Sequence, residues 1–137
     1  MAPRPQHITR GMRNNNPLNI RIGNVWLGEV KNPTDPDFEQ FVHIKYGLRA
    51  AFVLLRRYIN RYHRNTVPTI ISSWAPASEN NTTKYIDFVC QRANITSTQS
   101  LTYTDRPAMI QLVKAMAKYE SGADIDENTI GQSYDMA

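Results

Sequence analysis

One carboxylate in this chain stands where its chemistry would change. Residues 106–121 have helical periodicity, preceded by Thr104-Asp105 and closed by Gly122. At roughly 100° per residue, with Ile110 set at 0°, Leu112 falls near ~200°, Met116 near ~240°, Met109 near ~260°, Val113 near ~300° and Ala117 near ~340°. Glu120 falls near ~280°, inside that apolar arc, while Gln111, Lys114 and Lys118 take the opposite side. A carboxyl on the core face of a last turn meets two effects that favour its protonated form: apolar surroundings and the negative end of the helix dipole. A carboxyl that keeps its proton near neutral pH can give it to the leaving oxygen of a glycosidic bond, the task of a glycosidase general acid. Periodicity alone also allows a blander reading, in which Glu120 is a solvated helix-end group or pairs with an arginine from elsewhere.

Three other carboxylates compete. Glu39 lies between Phe38 and Phe41 on a candidate strand; simple alternation turns it outward, and facing a cleft it would be the second, supporting carboxylate, as would Glu29. Glu79 precedes a helix, where it either caps the dipole or belongs to a site. In the second case Thr82 and Tyr85 line one side of a saccharide groove; Tyr85 reads equally well as core. Asn14, Asn15, Asn16 and Asn19 carry amides suited to the hydroxyl and N-acetyl groups of amino sugars, with turn building the first reading for Asn14 to Asn16. Trp26 and Trp74 are either sugar-stacking platforms or core.

The elements that must position these groups come in two kinds. Residues 10–41 carry turn signals and three candidate strands, 19–22, 25–30 and 38–42, with Gly23-Asn24 as a hairpin turn between the first two. Asn32-Pro33-Thr34-Asp35-Pro36-Asp37 is a second loop rich in breakers. From Tyr46 the period becomes helical: Leu48, Ala51, Phe52, Leu55, Ile59 and Tyr62 form an apolar stripe of about four to five turns. Arg49, Arg56, Arg57 and Arg61 lie on its other side, a solvated face or a grip on an anionic wall. A short helix starts at Thr66-Val67-Pro68 and runs to about Trp74. A third follows Ser78-Glu79-Asn80-Asn81 and ends near Asn94, and the fourth is the helix of Glu120. The expected class is α+β, mainly helical, with a small N-terminal β-hairpin or sheet and about four helices. The organisation expected is a loose arm over residues 1–9, a domain over 10–122 and a tail over 123–137 whose structure the sequence leaves open.

Composition bounds the rest. The 137 residues suit one domain of ordinary size, and 41% apolar against 20% charged residues argues against wholesale disorder. A single cysteine, Cys90, excludes an internal disulfide framework and multi-cysteine zinc sites, and the three histidines lack metal-ligand spacing. No metal or organic cofactor is expected. The net charge of +4 suits an anionic partner, either nucleic acid or a cell-wall polymer, and no base-reading motif supports the first. No stretch has the 18 or so consecutive apolar residues of a membrane span. The polar start reads as no secretory signal, so delivery to a cell wall through a pore, a phage particle or a secretion device is expected.

A wider pattern joins these pieces. Arg10-Gly11-Met12-Arg13-Asn14-Asn15-Asn16-Pro17-Leu18-Asn19-Ile20-Arg21, then Trp26-Leu27-Gly28, Phe38-Glu39-Gln40-Phe41, Gly47-Leu48-Arg49-Ala50, Trp74-Ala75-Pro76 and Glu79 through Tyr85 resemble small phage- and prophage-borne muralytic proteins of the lysozyme-like type. The parts are similar to those of lytic transglycosylases and bacterial glucosaminidases, in rotated order. The Glu-Ser helix end that opens those domains corresponds to Tyr119-Glu120-Ser121, here placed last. The resemblance, over about residues 10–122, therefore implies a circularly permuted lysozyme-like domain. It implies cleavage of peptidoglycan between N-acetylmuramic acid and N-acetylglucosamine, by a muramidase or lytic transglycosylase, with a glucosaminidase as a near variant. Glu120 would be the acid and Glu39 its support. Asn16, Asn19, Arg21, Trp74, Glu79, Thr82, Tyr85 and Ser121 would hold the glycan. A monomer is expected. The alternative is a wall-binding or virion module that keeps the shape without cutting.

Overall fold

A computed structural model describes residues 8–75 and 81–137. They form six α-helices: α1 (Arg10–Arg13), α2 (Ile44–Arg56), α3 (Val67–Trp74), α4 (Thr82–Ala93), α5 (Arg106–Ser121) and α6 (Glu127–Met136). A π-helical turn, Arg57–Arg61, continues α2. Local chemistry explains most of the boundaries. The Thr66 and Thr69 side chains cap α3 reciprocally, with proline in its first turn. Asn81 caps α4, which ends on Asn94 in the left-handed region, and Asp105 caps α5, which ends on left-handed Gly122.

The expected N-terminal sheet is not there. Among the described residues no strand forms, and the hairpin at Gly23-Asn24 is replaced by two isolated antiparallel bridges, Arg21 with Phe38 and Glu29 with Phe41. The segment 38–42 pairs first with 20–22 (Glu39 N–H to Ile20 O, 3.0 Å; Ile22 N–H to Asp37 O, 3.0 Å) and then with 28–30 (Val30 N–H to Gln40 O, 3.0 Å; Val42 N–H to Gly28 O, 2.9 Å). Neither pairing grows into a ladder. Asn19 (φ 53°) and Gly28 (φ 84°) leave the extended region, and asparagine side chains take over backbone partners a ladder would use. The class is therefore mainly helical rather than α+β, with six helices where about four are expected from the pattern.

The core lies between α2, α4, α5 and α6, with Leu48, Phe52, Leu55, Val89, Met109, Leu112, Met116 and Ile130 buried. Every apolar residue of the α5 wheel is buried, and Gln111, Lys114 and Lys118 are not. The chain end, left open by the sequence, supplies α6. Asp126 caps it, and Ile125 and Ile130 occupy the two positions of a hydrophobic staple around that cap. Gly131 lets α6 pass close to the α5 start, where a Cβ would sit 2.6 Å from the Arg106 guanidinium. Among the described residues no helix is long and apolar enough to cross a membrane.

Candidate functional site

The C-terminal end of α5 docks onto the loop at residues 17–19. The Ser121 hydroxyl donates to Pro17 O at 2.6 Å, and the Thr9 hydroxyl donates to Ser121 O at 2.9 Å. Asn19 Nδ2 donates to the Glu120 carboxyl (Oε1, 3.1 Å) and also reaches Glu120 O at 3.3 Å. Gly11 makes this junction possible, since a Cβ there would lie 2.1 Å from Ser121 Oγ and 2.8 Å from Asn19 Oδ1. Asparagine suits position 19 because it tolerates the left-handed backbone that aims its amide at Glu120. Glu120 itself is half-buried. Beneath it, Tyr85 is fully buried and stacks on Tyr119 with ring centroids 4.0 Å apart. The Tyr85 hydroxyl has no partner at hydrogen-bonding geometry. Burial pushes its pKa well up, and the neighbouring Glu120 carboxyl pushes it further.

Beside Asn19 opens a cleft of about 320 Å³, lined by Asn19, Ile20, Arg21, Asn24, Leu54, Tyr58, Ser73 and Trp74. Trp74 is half-buried; its indole N–H donates to Leu18 O at 2.9 Å, and its ring meets Tyr58 edge-on at 6.0 Å. Burial raises the Tyr58 pKa against the opposing charges of Arg64 and Arg57. The Arg21 guanidinium lies over the Phe38 ring at 4.9 Å. One wall thus offers aromatic surface and the other amides and a guanidinium, a lining fit for a polar ring-shaped ligand such as a sugar.

Of the residues expected to bind ligand, Asn19, Arg21 and Trp74 come together at this cleft, with Glu120 held by Asn19. Three others serve the scaffold. Asn16 is fully buried: Nδ2 donates to Ile20 O and Glu39 O, and Oδ1 accepts from Ile20 N–H. Ser121 is buried on Pro17, and Tyr85 lies in the core. Thr82 reaches back from α4 to Ala75 O at 3.4 Å. Glu79 lies outside the described residues. Trp26 is buried, not a platform.

Glu39 is turned inward rather than outward and is 7% exposed. Its carboxyl faces Glu29, which sits diagonally across the Glu29–Phe41 bridge. Burial first, and Glu29 second, push the Glu39 pKa up to about 7.

Tyr58 and Ser73 carry no motif signal in the sequence, and Asn24 reads there only as a turn residue. Leu54 and Tyr58, four apart, flank the main apolar stripe of α2, and that second short row was the available signal. The π-helical turn that begins at Arg57 re-aims it in a way no periodicity encodes. Among the described residues no group of three or more His, Cys, Asp and Glu side chains is placed to hold a metal ion.

No family model matches the chain. Protein P5 of Pseudoalteromonas phage PM2 is 40% identical over 119 residues, an alignment that covers 84% of this chain and 72% of that protein. The chain belongs to the P5 family. This P5-family member thus has a phage protein as its relative, in keeping with the phage character expected from the motifs.

Proposed function

We propose that this P5-family protein cleaves peptidoglycan glycan strands between N-acetylmuramic acid and N-acetylglucosamine, with Glu120 as general acid. The reading is carried by one arrangement: a half-buried carboxyl at a helix end, oriented by an asparagine amide that also lines an aromatic-walled cleft. Glu120 gives its proton to the glycosidic oxygen as the bond to the anomeric carbon breaks. As a carboxylate it then takes a proton, either from water attacking that carbon or from the sugar's own 6-hydroxyl, which closes a 1,6-anhydro ring. Trp74 and Tyr58 would pack on sugar faces, Asn19 and Asn24 would bond hydroxyl and N-acetyl groups, and Arg21 would bring positive charge to the rim. Glu39 is the second carboxylate of the proposal, and its pairing with Glu29 makes it a support for the loop that carries Asn19.

Glu120→Gln should leave the fold intact and lower turnover on purified peptidoglycan by roughly 10²–10⁴-fold. Mass spectrometry of the digest tells an anhydro end from a reducing end. Full activity in the variant would remove Glu120 from the chemistry. A second reading is a virion module that grips the wall without cutting; a phage relative is compatible with association with a phage particle. Sedimentation of the wild-type protein with sacculi, without soluble fragments, would select it. Delivery with a phage particle is part of either proposal.

A further inference from the structure

Glu29 and Glu39 meet in a setting that ordinary carboxylates avoid. The two antiparallel hydrogen bonds around the Glu29–Phe41 bridge, Val30 N–H to Gln40 O and Val42 N–H to Gly28 O, fix the backbones on which both side chains stand. Glu39 and Phe41 are both turned inward, 7% and 2% exposed. Glu29 Oε1 and Glu39 Oε2 are both buried and neither has a hydrogen-bond donor. Two buried carboxylate oxygens without a donor would be left unsatisfied and would repel each other. One proton held between them removes both problems, giving a strong O–H···O⁻ bond. Of the other charged groups on the adjoining segments, Arg21, Lys31, Asp37, His43 and Lys45 are exposed, and Asp35 is held by Arg10 and Asn14; the charge that acts on Glu39 is that of Glu29.

We propose that Glu29 and Glu39 share a proton and form a latch that fastens residues 28–30 to residues 39–42 in acid solution and loosens as the pH rises through neutrality. The latch acts on the cleft through the backbone. Glu39 N–H donates to Ile20 O, and Asn16 Nδ2 bridges Glu39 O and Ile20 O. Ile20 follows Asn19, whose amide holds Glu120. Loss of the shared proton therefore frees the segment that orients Glu120; this consequence, unlike the latch itself, rests on the proposed glycan-cleaving role.

The sign follows from linkage. A carboxyl whose pKa is raised in the folded state, here to about 7 from 4.5, stabilises the fold fully below the lower value. That contribution falls between the two values and is gone above the higher one. The test is a carboxyl-carbon NMR titration of the full chain, paired with thermal unfolding at a series of pH values. In the wild-type protein one glutamate should titrate near neutrality, and Tm should drop by roughly 5 °C between mildly acid and mildly alkaline pH. In Glu39→Gln the amide donates to Glu29 at every pH, so the neutral titration and the extra Tm slope should both vanish. In Glu29→Gln the amide donates to the Glu39 carboxylate, so the Glu39 titration should move to lower pH, while burial still holds it above the ordinary carboxylate range. If both glutamates titrate in that range in the wild-type protein, or if Glu29→Gln leaves Glu39 unchanged, the latch is wrong. Neither readout uses glycan, so an inactive protein can still carry the latch.

Discussion

Residues 14–43 and the helices that follow are held together by different forces. The helical part buries leucines, isoleucines and methionines between α2, α4, α5 and α6, and its stability comes from apolar area removed from water. The N-terminal part has no regular element and is built on polar side chains that serve backbone groups. Asn15 Nδ2 donates to Phe41 O at 2.9 Å, and Asn16 bonds Ile20 and Glu39. Asn14 lies between Asp35 and Gln40, and Arg10 grips Asp35 through two bonds of 2.7 and 2.6 Å, holding the Asp35 carboxyl well below the usual range. The difference teaches where a site can be placed. A packed helix end supplies a fixed position for Glu120, and a hydrogen-bonded loop supplies Asn19, whose amide holds it.

Three substitutions sharpen that contrast. Leu112→Ala, in the fully buried helical core, should cost about 3 kcal/mol and lower the urea midpoint of the whole domain. Asn16→Ala removes one side chain from three buried hydrogen bonds and should cost about 2 kcal/mol. Its signature should be local: amide hydrogen exchange accelerates over residues 14–42 while α5 and α6 stay protected. Uniform acceleration would mean that loop and helices open as one unit. Gly47→Ala tests the seam. In an exposed helix that change gains up to about 1 kcal/mol. Here a Cβ would lie 2.0 Å from Asn15 O, so α2 and the loop must separate, and a loss of about 1 kcal/mol or more is expected. A gain in Tm would show that the two regions are not in tight contact there.

The legibility of the chain divides along the same line. Where burial has a period, the sequence could be read: the stripe from Leu48 to Ile59 and the arc of α5 are both buried, and Thr66, Asn81, Asp105 and Gly122 mark real ends. The last helix was readable in principle from Asp126 and its flanking isoleucines, but Gly131 and Ser133 weaken its apolar pattern. In the loop, alternation misleads. Val25 is 95% exposed and Glu39 only 7%, because the partners of 38–42 change halfway along and no ladder imposes a face. Asn16, Ser121 and Tyr85 show the same limit at the site: residue type announces hydrogen bonding or stacking, and the fold decides whether the partner is a ligand or the chain itself.

The sequence by itself determined that α5 forms, that it ends at Gly122 and that Glu120 stands on the apolar side of its last turn, because helix periodicity and capping are local. Only the tertiary structure decided that Asn19 holds that carboxyl, that Trp74 and Tyr58 share a cleft, and that Glu39 faces Glu29. Those pairings join residues of different segments, and their energy exists only once the intervening chain has closed around them.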